Sequence, residues 1–177
     1  TLGADTSGSV YLDPDGRFPN HVPNPENVEI MRDFGKIVVN LKADLGIIFD
    51  TDVDRAALVD SDGTPIARNR LIALISDNIL FEYPGSTIVT DSVTSASLKQ
   101  YIESRGGVHH RFRRGYNNVI KEARRLNEEG VDCAIAIETS GHCALRENDF
   151  LDDGAYLIIK LLIQYVQLRK QGKTIAD

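Results

Sequence analysis

Three carboxylates, Asp50, Asp52 and Asp54, alternate in FDTDVDR directly after the apolar run of ADLGIIF. A chain leaving a buried strand must turn toward solvent there, and the three sets of oxygens can converge on one point. Two such charges ~4 Å apart repel by about 4 kcal/mol at an effective dielectric near 20, so the cluster is costly unless a cation or protons offset it. A hard divalent cation with oxygen ligands, Mg²⁺ first, is the natural partner. The plainer alternative is a solvated acidic turn. An EF-hand loop is disfavoured, because Arg55 occupies the sixth position, where glycine makes the turn, and Ser61 rather than glutamate occupies the twelfth. Arg55 puts a guanidinium directly after the acids and suits a second anionic partner beside the metal, such as a phosphoryl group.

A second set of polar groups follows another apolar run, in CAIAIETSGH. Glu138 can accept a pair of vicinal hydroxyls, Ser140 and His142 can donate or accept, and Gly141 permits close backbone approach. This is chemistry for orienting a sugar; the plainer reading is that Thr139 and Ser140 turn the chain and His142 is a satisfied loop histidine. Between the two sets lies HHRFRRGY, the one concentrated basic stretch, which is either a solvated face or a binder of anionic substrate. Arg113 and Arg114 are its candidates for the rim of an anionic site.

The elements that position these groups can be read from periodicity. Prolines 14, 19, 23 and 25 make the opening an ordered, irregular loop. Apolar residues at helical spacing predict a helix from Asn27 to Leu41, and ADLGIIF a strand. AALVDSDGTPI is expected to be a hairpin turning at Asp62-Gly63. Beyond it come a helix from Arg70 to Phe81, a strand in STIVTDSV, a helix from Ser95 to Arg105 and a short strand around His110. A helix from Asn117 to Glu129, a strand in CAIAIE and a helix from Gly154 to Lys170 close the chain. Asp152 and Asp153 are expected as first-turn acids that complement the last helix's dipole. The pattern predicts an α/β protein of two three-layer α/β/α domains with mixed, mostly parallel sheets, the first incomplete, and a boundary near Ile66.

With 177 residues and 42% hydrophobic content the chain can bury a real core. A net charge of −6 with no basic tail argues against a nucleic-acid partner. No apolar run reaches the ~18 residues of a membrane span, so no membrane partner is expected. Cys133 and Cys143 stand in neither a CxxC pair nor a metal spacing and read as reduced structural thiols. A cytoplasmic protein is the default expectation. The chain starts at Thr1 and reads as cut from something longer; a removed transit sequence would look the same, which leaves a plastid open.

D-x-D-x-D-R, residues 50–55, resembles the metal loop of the α-D-phosphohexomutases, usually DGDxDR, with Thr51 where the glycine stands. ETSGH, residues 138–142, is similar to that family's sugar-binding loop, commonly GExSGH, and the two motifs come in the family's order. PDGRFPNHVPNPE resembles a segment of the second domain, and TDSVTS and RRGY segments of the third, so the likeness covers essentially the whole chain. It implies that residues 1–66 are the C-terminal part of domain II and 67–177 a complete domain III, with domains I and IV of the parent missing. It further implies an enzyme that interconverts hexose 1- and 6-phosphates of glucose or mannose type through a phosphoserine and a hexose bisphosphate. In that enzyme Asp50, Asp52 and Asp54 would hold Mg²⁺, the catalytic Arg55 would steady phosphoserine oxygens, and Glu138, Ser140 and His142 would hold the sugar. No serine here sits in the family's nucleophile context, so the chain alone is expected to be inactive. Some members carry a lysine where Val93 stands and a histidine where Tyr116 stands, so the general acid/base stays unassigned. D-x-D is also similar to the haloacid-dehalogenase phosphatases, in which Asp50 would be the nucleophile and Asp52 the acid/base. A silent sugar-phosphate binding module is the third reading.

Overall fold

The computed structural model describes residues 3–173 and 175. Residues 3–26 form no regular element, as their prolines require. The first helix, α1 (Val28–Leu41), begins where Asn27 accepts the N–H groups of Glu29 and Ile30, and it ends on Lys42 in the left-handed conformation. It covers an antiparallel pair, β1 (Leu45–Phe49) and β2 (Ala56–Asp60), through Met31 and Val38 packed with Ile48, Ala57 and Val59.

Then follow α2 (Arg68–Glu82), β3 (Thr87–Thr90), α3 (Ala96–Ser104), β4 (Val108–Arg111), α4 (Tyr116–Glu128) and β5 (Cys133–Ile137). The chain ends with β6 (Cys143–Leu145), a 3₁₀ turn over Arg146–Asn148 and α5 (Gly154–Lys170). The second sheet has the order β4-β3-β5-β6, parallel except for β6. Ile88, Ile135 and Ile137 pack on one side with Leu71, Ile75, Ile102 and Leu157, and Val89, Cys133 and Ala136 on the other with Val119, Ala123 and Leu126. Helices therefore cover both faces, as expected for parallel strands that are buried throughout. Both cysteines are free thiols, and burial pushes the Cys133 thiol up to about 12.

Two details differ from the sequence reading. The turn at Ser61-Asp62-Gly63 exists, but its second arm is a single bridge, Val59 to Pro65, because Pro65 has no N–H and α2 starts soon after. The full partner of β2 is β1, which makes the acidic loop the hairpin connection itself. The sequence reading also lacked β6, whose three residues are too few to show a period. The face of β2 opposite α1 contributes Ala56 and Leu58 to the same core as Leu71, Leu157 and Leu161, so the hairpin and the second sheet share one interior.

Candidate functional site

The loop between β1 and β2 brings together the three carboxylates singled out in the sequence. One oxygen each of Asp50, Asp52 and Asp54 lies within 4.8 Å of the others. Asp50 is 7% exposed, and both its oxygens are taken: Oδ1 accepts the Arg55 backbone N–H (3.2 Å) and Oδ2 accepts from Arg55 Nε (2.7 Å). Burial alone would raise its pKa, but the Arg55 hydrogen bonds outweigh that and hold it below the usual value. Asp54 goes the other way, to about 6, through burial first and then the neighbouring Asp50 carboxyl. Its Oδ1 is buried with no hydrogen-bond partner.

Val53 carries the loop's strain. A β-branched residue at φ 64° sits in a region that side chains of its shape avoid, and its carbonyl is held by the Gly154 N–H at 2.9 Å. A Cβ on Gly154 would come within 2.9 Å of the Val53 oxygen, so glycine is what lets α5 begin against this loop. Thr51, at the glycine position of the resembled motif, needs no left-handed φ.

The second loop connects β5 to β6 and is tied by side-chain acceptors. Glu138 Oε1 accepts the Gly115 N–H (2.5 Å) and Oε2 accepts the Ser140 hydroxyl (3.0 Å). Asp91, fully buried at the end of β3, accepts the Thr139 N–H and hydroxyl (2.9 and 2.6 Å) and the Val93 N–H (3.2 Å). Gly141 has φ 106°, and a Cβ there would lie 3.0 Å from the Ala56 carbonyl oxygen, where the two loops touch.

His142 joins the loops. Its backbone bridges to Arg55, its Nδ1 donates to Asp152 Oδ2 (2.7 Å) and lies 3.4 Å from Asp54 Oδ2, and the Tyr116 ring stacks on it at 4.7 Å. Burial by itself would lower the imidazole pKa, but the bond to Asp152 and the charges of Asp152 and Asp54 raise it. On the outer side Arg55 Nη1 reaches Asn24 Oδ1 (3.5 Å), and Arg68 donates to the Pro25 carbonyl (2.5 Å), which anchors the irregular opening segment beside the site.

The basic stretch does not act as one patch. His109 pairs with Thr90, His110 with Glu122, and Arg111 with Thr94 and the Ser95 carbonyl. Arg113 and Arg114 remain exposed on the turn that docks onto Glu138, Arg113 lying over the Phe112 ring. Asp153 caps α5 by accepting the Tyr156 N–H, as a first-turn acid should. Asp152 does not: it turns back to His142 and the Cys143 N–H, because β6 delivers those donors to it. Asp91 and Tyr116 also enter the site without having been assigned a role. For Asp91 a signal existed, since IIFD, IVTD and IAIE each end an apolar strand in an acid. For Tyr116 the resemblance marked the position, through RRGY and the histidine that some members carry there, but its stacking on His142 leaves no local trace.

The family model described as phosphoglucomutase/phosphomannomutase, alpha/beta/alpha domain II, matches residues 3–63, and the domain III model matches residues 67–177. The chain belongs to the phosphoglucomutase/phosphomannomutase family. A phosphomannomutase/phosphoglucomutase of Pseudomonas syringae pv. tomato is 33% identical over 155 residues, which cover 87% of this chain and 32% of that protein. A Neisseria gonorrhoeae phosphoglucomutase is 32% identical over 154 residues, 86% of this chain and 32% of its own length. A crystal structure of a phosphoglucomutase/phosphomannomutase family protein from Burkholderia thailandensis superposes with a TM-score of 0.76 at 32% identity, over 85% of this chain and 32% of that one. The chain thus spans about a third of the length of these relatives. Among the described residues, no helix is long and apolar enough to cross a membrane.

Proposed function

We propose that this chain is the metal- and sugar-holding portion of a phosphohexomutase that interconverts hexose 1-phosphate and hexose 6-phosphate. The observation that carries the reading is the junction of the loops: the acidic loop and the Glu138–His142 loop meet backbone to backbone at Arg55 and His142. Such a junction lets a phosphoryl group and a sugar be held side by side. Family membership and the one-third coverage support a parent with further domains, which would bring the phosphoserine and the grip on the far phosphate.

The acidic loop fits Mg²⁺ on its own chemistry, with three oxygen donors converging and a buried carboxylate oxygen, Asp54 Oδ1, that accepts no hydrogen bond. Asp50, Asp52 and Asp54 would hold it; when bound, it offsets charge on a phosphoryl group in transfer. Arg55, fixed by Asp50, steadies phosphoryl oxygens. Glu138 and Ser140 orient sugar hydroxyls, and His142 supports them from the seam. Arg113 and Arg114 sit on the turn beside Glu138 and meet the anionic end of the substrate. The phosphatase reading loses ground because the family models that match the chain, over residues 3–63 and 67–177, are those of phosphoglucomutase/phosphomannomutase.

The test is an assay of the full-length parent on glucose 1-phosphate and mannose 1-phosphate with Mg²⁺ and a catalytic amount of hexose 1,6-bisphosphate, scoring isomer and free phosphate together. Isomer without phosphate release, lost in Asp52→Asn, is the expected result. Phosphate without isomer would favour the phosphatase, and neither product a silent binding module. A cytoplasmic location follows as part of the same proposal.

A further inference from the structure

We propose that Tyr116 is a positioning residue that acts through His142, fixing the imidazole plane so that the sugar-binding loop presents it in one orientation to a hexose phosphate. The inference rests on the mutase reading for its substrate and on the geometry for the rest. His142 is held at three points. Its backbone is paired to Arg55, its Nδ1 edge is bonded to Asp152, and one ring face lies against Tyr116 with centroids 4.7 Å apart and planes 22° from parallel. Asp54 Oδ2, 3.4 Å from the same Nδ1, adds to the hold on that edge, so these contacts act on the backbone or the Nδ1 edge, whereas Tyr116 acts on a ring face.

The tyrosine is itself held where this requires. It opens α4 directly after Gly115, whose φ of 118° suits glycine and whose N–H donates to Glu138. Asn118 ties the same turn by donating to the Arg114 carbonyl at 2.7 Å. The sugar-gripping carboxylate and the imidazole are therefore aligned by two consecutive residues of one turn. A ring half exposed at the mouth of the site has little to contribute to the core, so its stacked face is its structural asset. Since the face and not the hydroxyl makes the contact, phenylalanine should serve as well as tyrosine.

The experiment is a double-mutant cycle in the full-length parent, with isomerisation kinetics for Tyr116→Ala, Tyr116→Leu, Tyr116→Phe, His142→Ala and the Tyr116→Ala/His142→Ala pair. Aromatic pairs of this kind imply a fall in kcat/KM of about three- to tenfold for Tyr116→Ala. The fall should appear in KM, because an imidazole that grips the sugar is needed before as well as during reaction. Tyr116→Leu should lose as much, Tyr116→Phe should stay within about twofold of wild type, and Tyr116→Ala should cost nothing further once His142 is gone. Equal losses in Tyr116→Phe and Tyr116→Ala, or losses that add in the pair, would overturn the proposal. Tyr116→Leu keeps an apolar side chain at the position if Tyr116→Ala unfolds. The NMR signals of the His142 ring should lose their upfield ring-current shift in Tyr116→Leu and keep it in Tyr116→Phe; unchanged signals in Tyr116→Leu would also overturn it. If wild type gives no isomer, the mutase reading fails by itself, and calorimetric affinities of the same variants for hexose 1-phosphate complete the cycle. A wild type that neither converts nor binds hexose phosphate overturns both.

Discussion

The two loops that meet at Arg55 and His142 leave similar strands and end in similar acids, yet they are finished in different ways. Around Glu138 and Asp91 every carboxylate oxygen accepts a hydrogen bond, from Ser140 and Thr139 of the loop or from Gly115 and Val93 of the turns beside it. Around Asp50, Asp52 and Asp54 the Arg55 guanidinium pairs closely with Asp50 and only at 3.7 Å with Asp54, Val53 is strained, and Asp54 Oδ1 is buried without a hydrogen bond. The first loop is complete as folded. The second holds a deficit of positive charge that only protons or a metal can remove. Under the proposed function, recognition of neutral hydroxyls would gain from the rigidity of the first loop, and binding of a cation from the uncompensated charge of the second.

Breaking the complete loop should have the larger effect on folding. Asp91→Ala leaves the half-buried N–H of Thr139 and the N–H of Val93 without their acceptor, and the loss should be about 2 kcal/mol. Urea unfolding with and without Mg²⁺ reads it, and the loss should be the same in both, because Asp91 bonds to Thr139 and Val93 and not to the acidic loop. A loss that Mg²⁺ reverses would mean that the two loops are not finished separately.

Breaking the acidic loop should do the reverse. Asp54→Asn removes a carboxylate whose pKa is pushed up to about 6 by burial and by Asp50, so near pH 7.5 the metal-free protein should gain on the order of 1 kcal/mol. The same change should abolish the Mg²⁺-dependent rise in melting temperature, which for the wild type at ten times Kd corresponds to about 1.4 kcal/mol. Thermal melts over a Mg²⁺ titration give both numbers. A destabilised metal-free variant would show that Asp54 is structural and that the contrast between the loops is false.

Much of this contrast was visible in the residues, and the reason differs by loop. The acidic loop is local: three acids and Arg55 lie within six positions, so sequence spacing alone brings them together. Glu138, Ser140 and His142 are local too, and the periodic helices around them, from Asn27 to Leu41 and from Gly154 to Lys170, appear where the spacing placed them. What stayed hidden is everything carried by topology. Asp91, Tyr116 and Asp152 reach the site because β3 and β5 lie side by side and β6 folds back on β5. Asp152 looked like a plain helix-start acid until a three-residue strand turned it toward His142. The basic stretch misled in the opposite sense, since its histidines alternate across an edge strand and pair inward with Thr90 and Glu122.

That inward pairing sharpens the comparison with the smallest of the effects, a pH response confined to the complete loop. His109 Nε2 pairs with the Thr90 hydroxyl at 2.7 Å, Thr90 pairs with Thr94, and Thr94 donates to the Asp91 carbonyl, so the histidine lies under the turn that holds Thr139. Burial, then the Arg111 charge, lowers its pKa to about 4, with Lys99 and His110 acting in the same direction and Glu103 opposing them. Between that value and the ordinary 6.5 the unfolded chain binds a proton that the folded one refuses. Stability therefore rises with pH through this window, is fully present above about 6.5 and is lost as the pH falls toward 4. His109→Gln, which keeps a polar group beside Thr90 but cannot titrate, should flatten the stability profile over that range and leave the Mg²⁺ response untouched. Urea midpoints at half-unit pH steps measure the slope, and a variant with the wild-type slope would assign the acid sensitivity to the carboxylates of the other loop.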